Sequence, residues 1–430
     1  MSAPEASSRA AALALLSGVL GKRRQLDGQL SLLECLASRD AGFARALASQ
    51  TLRHFGQLDA VIRHFAPKPL SPHKAGPAGE ILLMGACELL ILKVAAHAAV
   101  DGANRLAASD AKAVHFKPLI NAVLRRVARE GEAVLANTPA SLNTPDWLLG
   151  RWTAQYGDAL ARDIAAAHGR EAPLDIVLKN PGAAFPESEA LFGPVRRVHD
   201  AARIEDMPGF AGGDWWVQDA AATLPAALLG DVKGKRVIEL CAAPGGKTLQ
   251  LAAAGAQVIA VERDATRMKR VAENLGRVGL TAELVEADAR DYAPGLEGRA
   301  GLVLLDAPCT ATGTIRRHPD LPWIRGAADI TAASAASYEI LQNAANMVEP
   351  GGMLVFAVCS LEREEGEEQI AAFLDTNPEF ARAPVTPADV FGHSEWITPE
   401  GDLRTLPCHL NDQGGMDGFY AARLRRSETA

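Results

Sequence analysis

The sequence predicts a multidomain protein with an all-α N-terminal domain over residues 1–135, a small α+β linking subdomain over 136–228 and a doubly wound α/β domain over 229–430. Three observations support this division. Apolar residues in the first part recur at helical spacing, and short β-like runs stand between prolines and glycines in the second. In the third part, short apolar runs alternate with helical stretches, which is the pattern of buried parallel strands.

The N-terminal domain is predicted from helical periodicity. Leu13, Leu16 and Leu20 are three and four residues apart, so they share one face of a helix. A loop rich in proline and glycine, residues 67–77, separates this set from two further apolar stretches, EILLMGACELLILKV and FKPLINAVLRRVARE. Because none of these stretches alternates as a strand does, we expect a compact helical domain.

Charge is distributed unevenly along the chain. Residues 1–135 contain 17 Lys and Arg against 11 Asp and Glu, a net charge of +6, whereas the whole chain carries −8. A positive excess attracts phosphate groups, so the N-terminal domain is the part expected to contact a nucleic-acid backbone. A solvated surface can carry the same excess, so charge alone does not identify a partner.

The rest of the fold is predicted from short apolar runs. LDIVLK and VRRV are the β-like runs of the linking subdomain. The predicted strands of the α/β domain are RVIEL, QVIAV, AELVEA, GLVLLD and MLVFAV, most of them separated by helical stretches such as KTLQLAAA and TRMKRVAENLGRV. Such sheets bind ligands at the carboxyl ends of their strands, so the loops after these runs are expected to carry the chemistry.

The loop after the first of these strands has small residues and two glycines, which let the backbone approach a ligand before a helix begins. Its residues are Cys241, Ala242, Ala243, Pro244, Gly245, Gly246 and Lys247. A phosphate-binding P-loop requires glycine at position 241, which is cysteine here, and the loop lacks the dinucleotide motif GxGxxG. S-adenosylmethionine contains no phosphate and needs only a shorter turn, so this loop indicates that cofactor.

Acidic residues follow the next two strands. Glu262 ends QVIAVE, 17 residues after Gly245, where a carboxylate would meet ribose hydroxyls. Asp288 follows the third strand and is a candidate to accept a hydrogen bond from an adenine amino group. A single acid after a strand is more often a helix cap, but acids in register beside such a loop favour a cofactor site.

Cysteines follow the fourth and fifth strands. Cys309 lies in DAPCTATG, three residues after Asp306, and Cys359 directly follows the fifth strand. A single free cysteine is usually a small buried apolar residue, but two at the ends of adjacent strands indicate catalysis.

The chemistry that needs such a thiol is methylation of carbon 5 of a cytosine. That carbon becomes nucleophilic after a thiolate adds to carbon 6, and an acid such as Asp306 can support the charge at N3 and the amino group. An exocyclic adenine amine, the alternative acceptor, is typically served by an Asp/Asn-Pro-Pro-aromatic loop, where this chain has DAPC.

These motifs closely resemble those of the RNA cytosine-C5 methyltransferases. The resemblance is carried by CAAPGGKT, by DAPCTATG with IRRHPD, and by the strand-end CS. It extends through VQDAAAT before the α/β domain and DGFYAARL near the end. The helical part, with INAVLRR, resembles the NusB-type RNA-binding domain that a bacterial member of this family carries, so the resemblance covers nearly the whole chain.

The resemblance implies a Rossmann-like methyltransferase domain, S-adenosylmethionine as cofactor and RNA as substrate. Small-subunit ribosomal RNA is expected, ahead of transfer RNA or another ribosomal RNA. Cys359 would be the nucleophile, and Cys309 would assist release of the methylated RNA. The residues implied to hold the cofactor are those from Cys241 to Lys247, with Glu262, Asp288 and Asp306.

The chain departs from the family pattern at several positions. Glutamate stands at 239 and 262 where the family usually has aspartate, and Val358 stands where threonine usually precedes the nucleophile. Arg363 and Gly366 replace the usual proline and asparagine, with two glutamates retained between them. Because a carboxylate is kept at 262, we expect the ribose contact to tolerate the extra methylene.

Two other functions stay open at this point. DNA cytosine methyltransferases use the cysteine of a Pro-Cys loop as nucleophile, which would make Cys309 the attacking residue and Cys359 structural. A non-catalytic RNA-binding or antitermination factor that keeps an inactive cofactor fold is an alternative of a different class.

The cysteines also bear on location and partners. The six cysteines lie far apart with no CxxC pair, so neither a disulfide framework nor a zinc site is expected, and a reducing cytoplasm is the expected location. No apolar run approaches the roughly 18 residues that span a bilayer. We therefore expect a monomer that binds RNA, without a metal ion and without a membrane.

Overall fold

The computed structural model describes residues 7–185, 188–199 and 203–428. The chain divides into two compact units. One comprises Met1–Glu171 and Ile315–Gly326, and the other comprises Ala172–Thr314 and Ala327–Ala430. Over the three described ranges, no helix has both the length and the apolar character needed to cross a membrane.

Helices and strands are numbered here along the described chain. The helices are α1 (Ser8–Lys22), α2 (Ser38–Arg53), α3 (Phe55–Phe65), α4 (Pro72–Ala75), α5 (Ala78–Leu90), α6 (Ala96–Ala108), α7 (Lys117–Ala136), α8 (Asp146–Tyr156), α9 (Asp158–His168), α10 (Ala220–Ala227), α11 (Gly246–Ala253), α12 (Ala265–Val278), α13 (Leu321–Ile324), α14 (Ala327–Ala345) and α15 (Glu367–Thr376). The strands are β1 (Leu174–Leu178), β2 (Ser188–Ala190), β3 (Val195–Val198), β4 (Trp215–Val217), β5 (Arg236–Leu240), β6 (Gln257–Glu262), β7 (Glu283–Glu286), β8 (Ala300–Asp306), β9 (Val348–Val358), β10 (Phe380–Arg382), β11 (Leu403–Thr405) and β12 (Phe419–Arg426).

The first unit is helical and is built around α5. Every residue of α5 from Ile81 to Leu90 is buried, and α2, α3, α6 and α7 pack against it. A helix that is apolar on all sides requires neighbours on all sides, which explains its composition. Its buried acid, Glu88, is paired with Arg9 of α1, whose Nε donates to Glu88 Oε1 at 3.0 Å. The predicted all-α fold is confirmed: the two apolar stretches form α5 and α7, and the described part of Met1–Glu171 contains no strand.

A short segment, Ile315–Gly326, belongs to this helical unit although it follows the loop after β8. The indole of Trp323 lies against Phe55, with ring centroids 4.5 Å apart, and its Nε1 donates to a backbone carbonyl of α2 at 3.0 Å. The guanidinium of Arg53 donates to the carbonyl of Arg316 at 2.8 Å. The motif IRRHPD therefore folds as part of the helical unit.

The second unit contains a four-stranded antiparallel sheet with the order β2-β3-β1-β4. LDIVLK and VRRV form β1 and β3, and Trp215 of β4 is buried in the core of this sheet. Asp175 of β1 and Arg197 of β3 form a fully buried ion pair, with Arg197 Nε 2.7 Å from Asp175 Oδ1. Asp175 also accepts from the backbone N–H of Ala220 at 3.1 Å, so the pair joins the small sheet to the start of α10.

The larger sheet has the order β10-β12-β9-β8-β5-β6-β7, with β11 paired to β12. Five neighbouring strands of this sheet are parallel, namely β7, β6, β5, β8 and β9. β12 is antiparallel to β9. Neighbouring residues of one strand belong to opposite hydrophobic clusters, as Val237 and Ile238 of β5 do. A strand buried on both faces requires a continuous apolar run, which is why these runs predict a parallel sheet. The predicted doubly wound fold is confirmed.

The division into units differs from the three predicted domains. Residues 136–171, expected to open the linking subdomain, belong to the helical unit as α8 and α9, and residues 172–228 belong to the α/β unit. The proline-containing stretch near residue 140 does not end the helical unit, because Trp152 of α8, which follows it, is completely buried. Proline marks the start of a helix there, since Pro145 directly precedes α8.

Asp175→Ala is expected to lower the free energy of unfolding by about 3–5 kcal/mol, because Arg197 is left as an unpaired buried charge. Chemical denaturation of the purified protein measures this loss. The control is Glu273→Ala, which removes an exposed carboxylate 3.8 Å from Lys269 on α12 and should change stability by less than about 0.5 kcal/mol. An Asp175→Ala protein as stable as the control would contradict the structural role of the pair.

Candidate active site

The residues selected from the sequence lie at the carboxyl edge of the larger sheet. The strand order reverses between β5 and β8, because β6 and β7 continue on one side and β9 on the other. Open α/β sheets bind ligands outside such a switch point. The loops after β5, β6, β8 and β9 meet there. Among the residues that the structure describes, no group of three or more His, Cys, Asp and Glu side chains is arranged to hold a metal ion.

The loop after β5 turns sharply before α11 begins. Cys241 (φ 62°) and Gly245 (φ 101°) both have left-handed backbone conformations, and a Cβ on Gly245 would lie 3.2 Å from Val271. Gly245 is the N-cap residue of α11, and no side chain at this position caps the helix. The first backbone N–H groups of α11 are therefore suited to a bound anion. The other predicted residues of this turn are Ala242, Ala243, Pro244, Gly246 and Lys247.

Glu262 ends β6 and is almost completely buried. Its Oε1 accepts from the backbone N–H of Asp264 at 3.0 Å, and its Oε2 accepts from that of Ala243 at 3.4 Å. Arg267 NH1 lies 3.5 Å from the same Oε2. The structure therefore brings this acid against the loop after β5.

Asp288 lies after β7 and is paired with Arg290. Arg290 donates to Asp288 from its backbone N–H at 2.9 Å, from Nε at 3.0 Å and from NH2 at 2.7 Å. These hydrogen bonds lower the pKa of Asp288 to about 2, so it is a carboxylate at neutral pH. The sequence did not predict the pairing with Arg290.

Lys247 and Asp306 connect the ends of the two central strands. Lys247 Nζ lies 2.6 Å from Asp306 Oδ2 and 5.3 Å from the centre of the Phe419 ring. Burial acts to lower the pKa of Lys247, but the charges of Asp306, Cys359 and Glu239 outweigh burial, and the pKa is raised. The site therefore holds a permanent ammonium group beside its carboxylates.

The structure brings the two predicted cysteines together. The sulfurs of Cys309 and Cys359 are 3.6 Å apart. The hydrogen bond with Cys359, burial, and the charges of Cys359 and Glu365 raise the pKa of Cys309 well above its usual value. Either sulfur can be the donor of this hydrogen bond, and the raised pKa favours the protonated thiol at Cys309. Burial likewise raises the pKa of Cys241 to about 12, so that thiol also stays protonated.

A buried carboxylate that was not predicted from the sequence lies between the cysteine loops. Glu365 is completely buried and accepts from the backbone N–H of Thr310 at 2.7 Å and from the hydroxyl of Ser360 at 2.5 Å. The signal in the sequence is that Glu365 is one of the two glutamates that keep the family pattern between Arg363 and Gly366, after β9. Such a pair of acids usually lies on a solvated surface.

Glu239 is a second buried carboxylate, next to the end of β5. Burial raises its pKa to about 8. Among the described residues, its Oε2 has no hydrogen-bond partner. An unpartnered buried oxygen is costly, and it is suited to accept from a group bound in the adjacent loop.

Two family models match the chain. Residues 226–425 match the model described as 16S rRNA methyltransferase RsmB/F, and residues 6–129 match the NusB family. The first match contains both cysteines and every loop described above. The second match covers most of the helical unit.

The chain is also similar over nearly its full length to proteins named ribosomal RNA small subunit methyltransferase B. It is 37% identical to the one from Pseudomonas putida, covering 98% of this chain and 98% of the relative. It is 33% identical to the one from Pasteurella multocida, covering 98% and 96%.

Among solved structures, the crystal structure of PH0851 has a TM-score of 0.74 and 23% identity, covering 99% of this chain and all of that one. NSun6 from Pyrococcus horikoshii, solved with SFG, has a TM-score of 0.56 and 18% identity, covering 66% of this chain and 98% of that one. At these identities the likeness shows the fold.

Glu239→Gln is expected to stabilise the protein at alkaline pH and to have less effect at acidic pH. The pKa of Glu239 is about 8 when folded against an ordinary 4.5, so between these values the folded protein holds the extra proton and wild-type stability falls as pH rises. Glutamine does not titrate in this range, so the stability of the variant lacks this dependence on pH. Urea denaturation of both proteins at pH 5.5 and pH 8.5 measures the difference, and an equal difference at the two pH values would contradict the raised pKa.

Proposed function

The chain belongs to the RsmB/F family of 16S rRNA methyltransferases, and from that premise we propose that it transfers a methyl group from S-adenosylmethionine to carbon 5 of a cytosine in 16S ribosomal RNA. The observation that carries the proposal is the pair of sulfurs 3.6 Å apart after adjacent strands, at the edge that also holds the Lys247–Asp306 ion pair. Methylation of an amine or a hydroxyl needs no thiol, whereas carbon 5 of cytosine has to be activated by a nucleophile.

Cys359 is the proposed nucleophile. Its thiolate adds to carbon 6 of the cytosine, so that an S–C6 bond forms and the electron pair of the C5–C6 double bond becomes available at carbon 5. The ammonium of Lys247 interacts with the charge of Cys359, and Asp306 is proposed to support the ring at N3 and the amino group. S-adenosylmethionine, when bound, supplies the methyl group from its sulfonium.

Cys309 is proposed to act in the second half of the reaction. Carbon 5 then carries both a methyl group and a proton; loss of that proton to a base restores the double bond and breaks the S–C6 bond. The S–H of Cys309 can donate to the departing sulfur of Cys359 and so stabilise its developing charge. The rival assignment of a DNA-type enzyme makes Cys309 the attacking thiolate, and the charge of Glu365, whose carboxylate is hydrogen-bonded to the residue after Cys309, opposes a negative charge on that sulfur.

The loop after β5 and its surrounding acids fit S-adenosylmethionine. The N terminus of α11 suits the carboxylate of the methionine part, and Glu262 suits the ribose hydroxyls. Asp288 is the proposed acceptor for the adenine amino group. The unpartnered oxygen of Glu239 and the charge of Asp306 suit the ammonium and sulfonium groups of the ligand.

The helical unit supports RNA as the substrate. The NusB-family match covers residues 6–129, and it overlaps the part of the chain that carries the net charge of +6. A positive domain gives affinity for phosphate groups without contributing to the chemistry. The non-catalytic alternative leaves two adjacent thiols and four acids around one loop without a role. A ribosomal RNA substrate also agrees with the cytoplasmic location expected from the cysteines.

Glu262→Ala and Asp288→Ala are expected to weaken cofactor binding and to leave RNA affinity unchanged. Each removes a contact to a non-reacting part of the cofactor, worth roughly 10- to 100-fold in Kd for a hydrogen bond to a charged group. The loss of cofactor affinity should be smaller for Asp288→Ala, because both oxygens of Asp288 already accept hydrogen bonds from Arg290. Calorimetry with the cofactor alone measures both, with Glu273→Ala as the control, and unchanged Kd in both variants would contradict the assignment.

The two cysteine variants test the mechanism. Cys309→Ala should still attack and methylate, and then accumulate as a covalent protein–RNA adduct because release is impaired. Cys359→Ala should form neither adduct nor product, because it lacks the nucleophile. The target base must leave its stack to reach either sulfur, so the adduct should require structured 16S ribosomal RNA and cofactor. A denaturing gel with labelled RNA detects the adduct, and mass spectrometry of digested RNA detects 5-methylcytosine.

The controls separate the competing functions. The double cysteine variant should give no adduct, and duplex DNA should not replace RNA as substrate. An adduct in Cys359→Ala that is absent in Cys309→Ala would reverse the assigned roles. Wild-type protein that makes no 5-methylcytosine in 16S ribosomal RNA would overturn the proposed function.

A further inference from the structure

We infer that Glu365 is a positioning residue that fixes the two cysteine-bearing loops against each other and so sets the separation and direction of the two sulfurs. The inference rests on the proposed function for the roles of Cys309 and Cys359. Glu365 itself touches neither sulfur. It acts through Thr310 and Ser360, the residues that directly follow the two cysteines in the chain.

A single carboxylate joins both loops. Glu365 Oε1 accepts from the backbone N–H of Thr310 at 2.7 Å, and Oε2 accepts from the Thr310 hydroxyl at 2.5 Å. The same Oε2 accepts from the hydroxyl of Ser360 at 2.5 Å. Three donors from two loops therefore converge on one buried group. Hydrogen bonds of this kind to a charged acceptor are short and strong, so the loops are held at a fixed separation.

Further contacts fix the backbone around the same point. The backbone N–H of Gly313 donates to the carbonyl of Cys359 at 3.0 Å, and Arg404 NH1 donates to the carbonyl of Ser360 at 2.6 Å. The hydroxyl of Thr312 lies 3.2 Å from that of Ser360. Glu365 differs from these groups because it contacts the residue next to each cysteine, and so couples the directions of both sulfurs.

The charge of Glu365 also distinguishes the two thiols. Together with the Cys359 hydrogen bond and burial, it contributes to the raised pKa of Cys309. Lys247, whose ammonium lies 2.6 Å from Asp306 Oδ2, interacts electrostatically with Cys359. The groups around the pair thus place negative charge near Cys309 and positive charge near Cys359. This arrangement favours attack by Cys359 with Cys309 as hydrogen-bond donor.

Glutamine at position 365 tests the inference with little change in volume. Its NH2 group replaces one acceptor oxygen, so the donors from Thr310 and Ser360 cannot all be satisfied. Glu365→Gln should lower kcat by about 10- to 100-fold, as small displacements of reacting groups do, while KM for RNA and for cofactor stays near the wild-type value. The matched control is Glu368→Gln, the same change at a carboxylate that is 57% exposed on α15.

A second measurement does not depend on methylation. Dibromobimane, a short bifunctional alkylating reagent, should link Cys309 to Cys359 rapidly in wild-type protein and several-fold more slowly in Glu365→Gln, as followed by peptide mass spectrometry. Thr310→Val removes one hydroxyl donor and should lower both kcat and the crosslinking rate, but less than Glu365→Gln does. Thr310→Ser keeps the hydroxyl and should have the wild-type kcat and crosslinking rate. A structural role alone would not separate kcat from KM or be rescued by serine.

A folded Glu365→Gln protein with wild-type kcat and crosslinking rate overturns the inference. If that variant does not fold, the inference depends on Thr310→Val, and it is overturned when Thr310→Val and Thr310→Ser behave alike. Wild-type protein that crosslinks but makes no 5-methylcytosine overturns the proposed function, while slower crosslinking in Glu365→Gln would still support positioning of the thiols.

Discussion

The parallel pairing of β8 with β9 is the constraint on which the site depends. The register aligns Asp306 with Ala357. Cys309 and Cys359 follow these two residues by three and two positions, so the pairing brings the two sulfurs together. On its other edge β9 pairs with β12, which aligns Tyr420 with Val358. β9 forms backbone hydrogen bonds to a strand on each side, so it cannot shift its register without losing both sets. The end of β9 is therefore rigid. The first residue of β12, Phe419, also lies near the Lys247 ammonium.

Elements that depend on local pattern could be predicted from the sequence. β5, β6, β8 and β9 are short apolar runs because both faces of the sheet are buried there, whereas the edge strand β7 is exposed or half-buried. Apart from two glutamates, α5 is apolar because helices surround it. The site loops follow from the same pattern, since the carboxyl ends of parallel strands meet at one edge. The proximity of Cys309 to Cys359 could therefore be expected before any coordinates were known.

Features that depend on tertiary contacts could not be predicted in this way. DGFYAARL was recognised as a motif, but nothing local shows that it forms a strand beside β9. The segment Ile315–Gly326 folds with the helical unit because Trp323 packs on Phe55, a contact between residues far apart in the chain. Glu365 resembles a solvated acid in sequence, and only the folded loops surround it with donors.

The buried acids indicate what the site is built for. Burial raises the pKa of Glu239 to about 8 and raises that of Glu365 as well, so both carboxylates cost folding free energy at neutral pH. A core selected for stability alone would hold apolar side chains at these positions. Both acids lie beside loops that carry the candidate cofactor or thiol residues. Groups that cost stability persist where they serve binding or catalysis, and Glu239 and Glu365 both lie at the edge of the sheet that carries the candidate site.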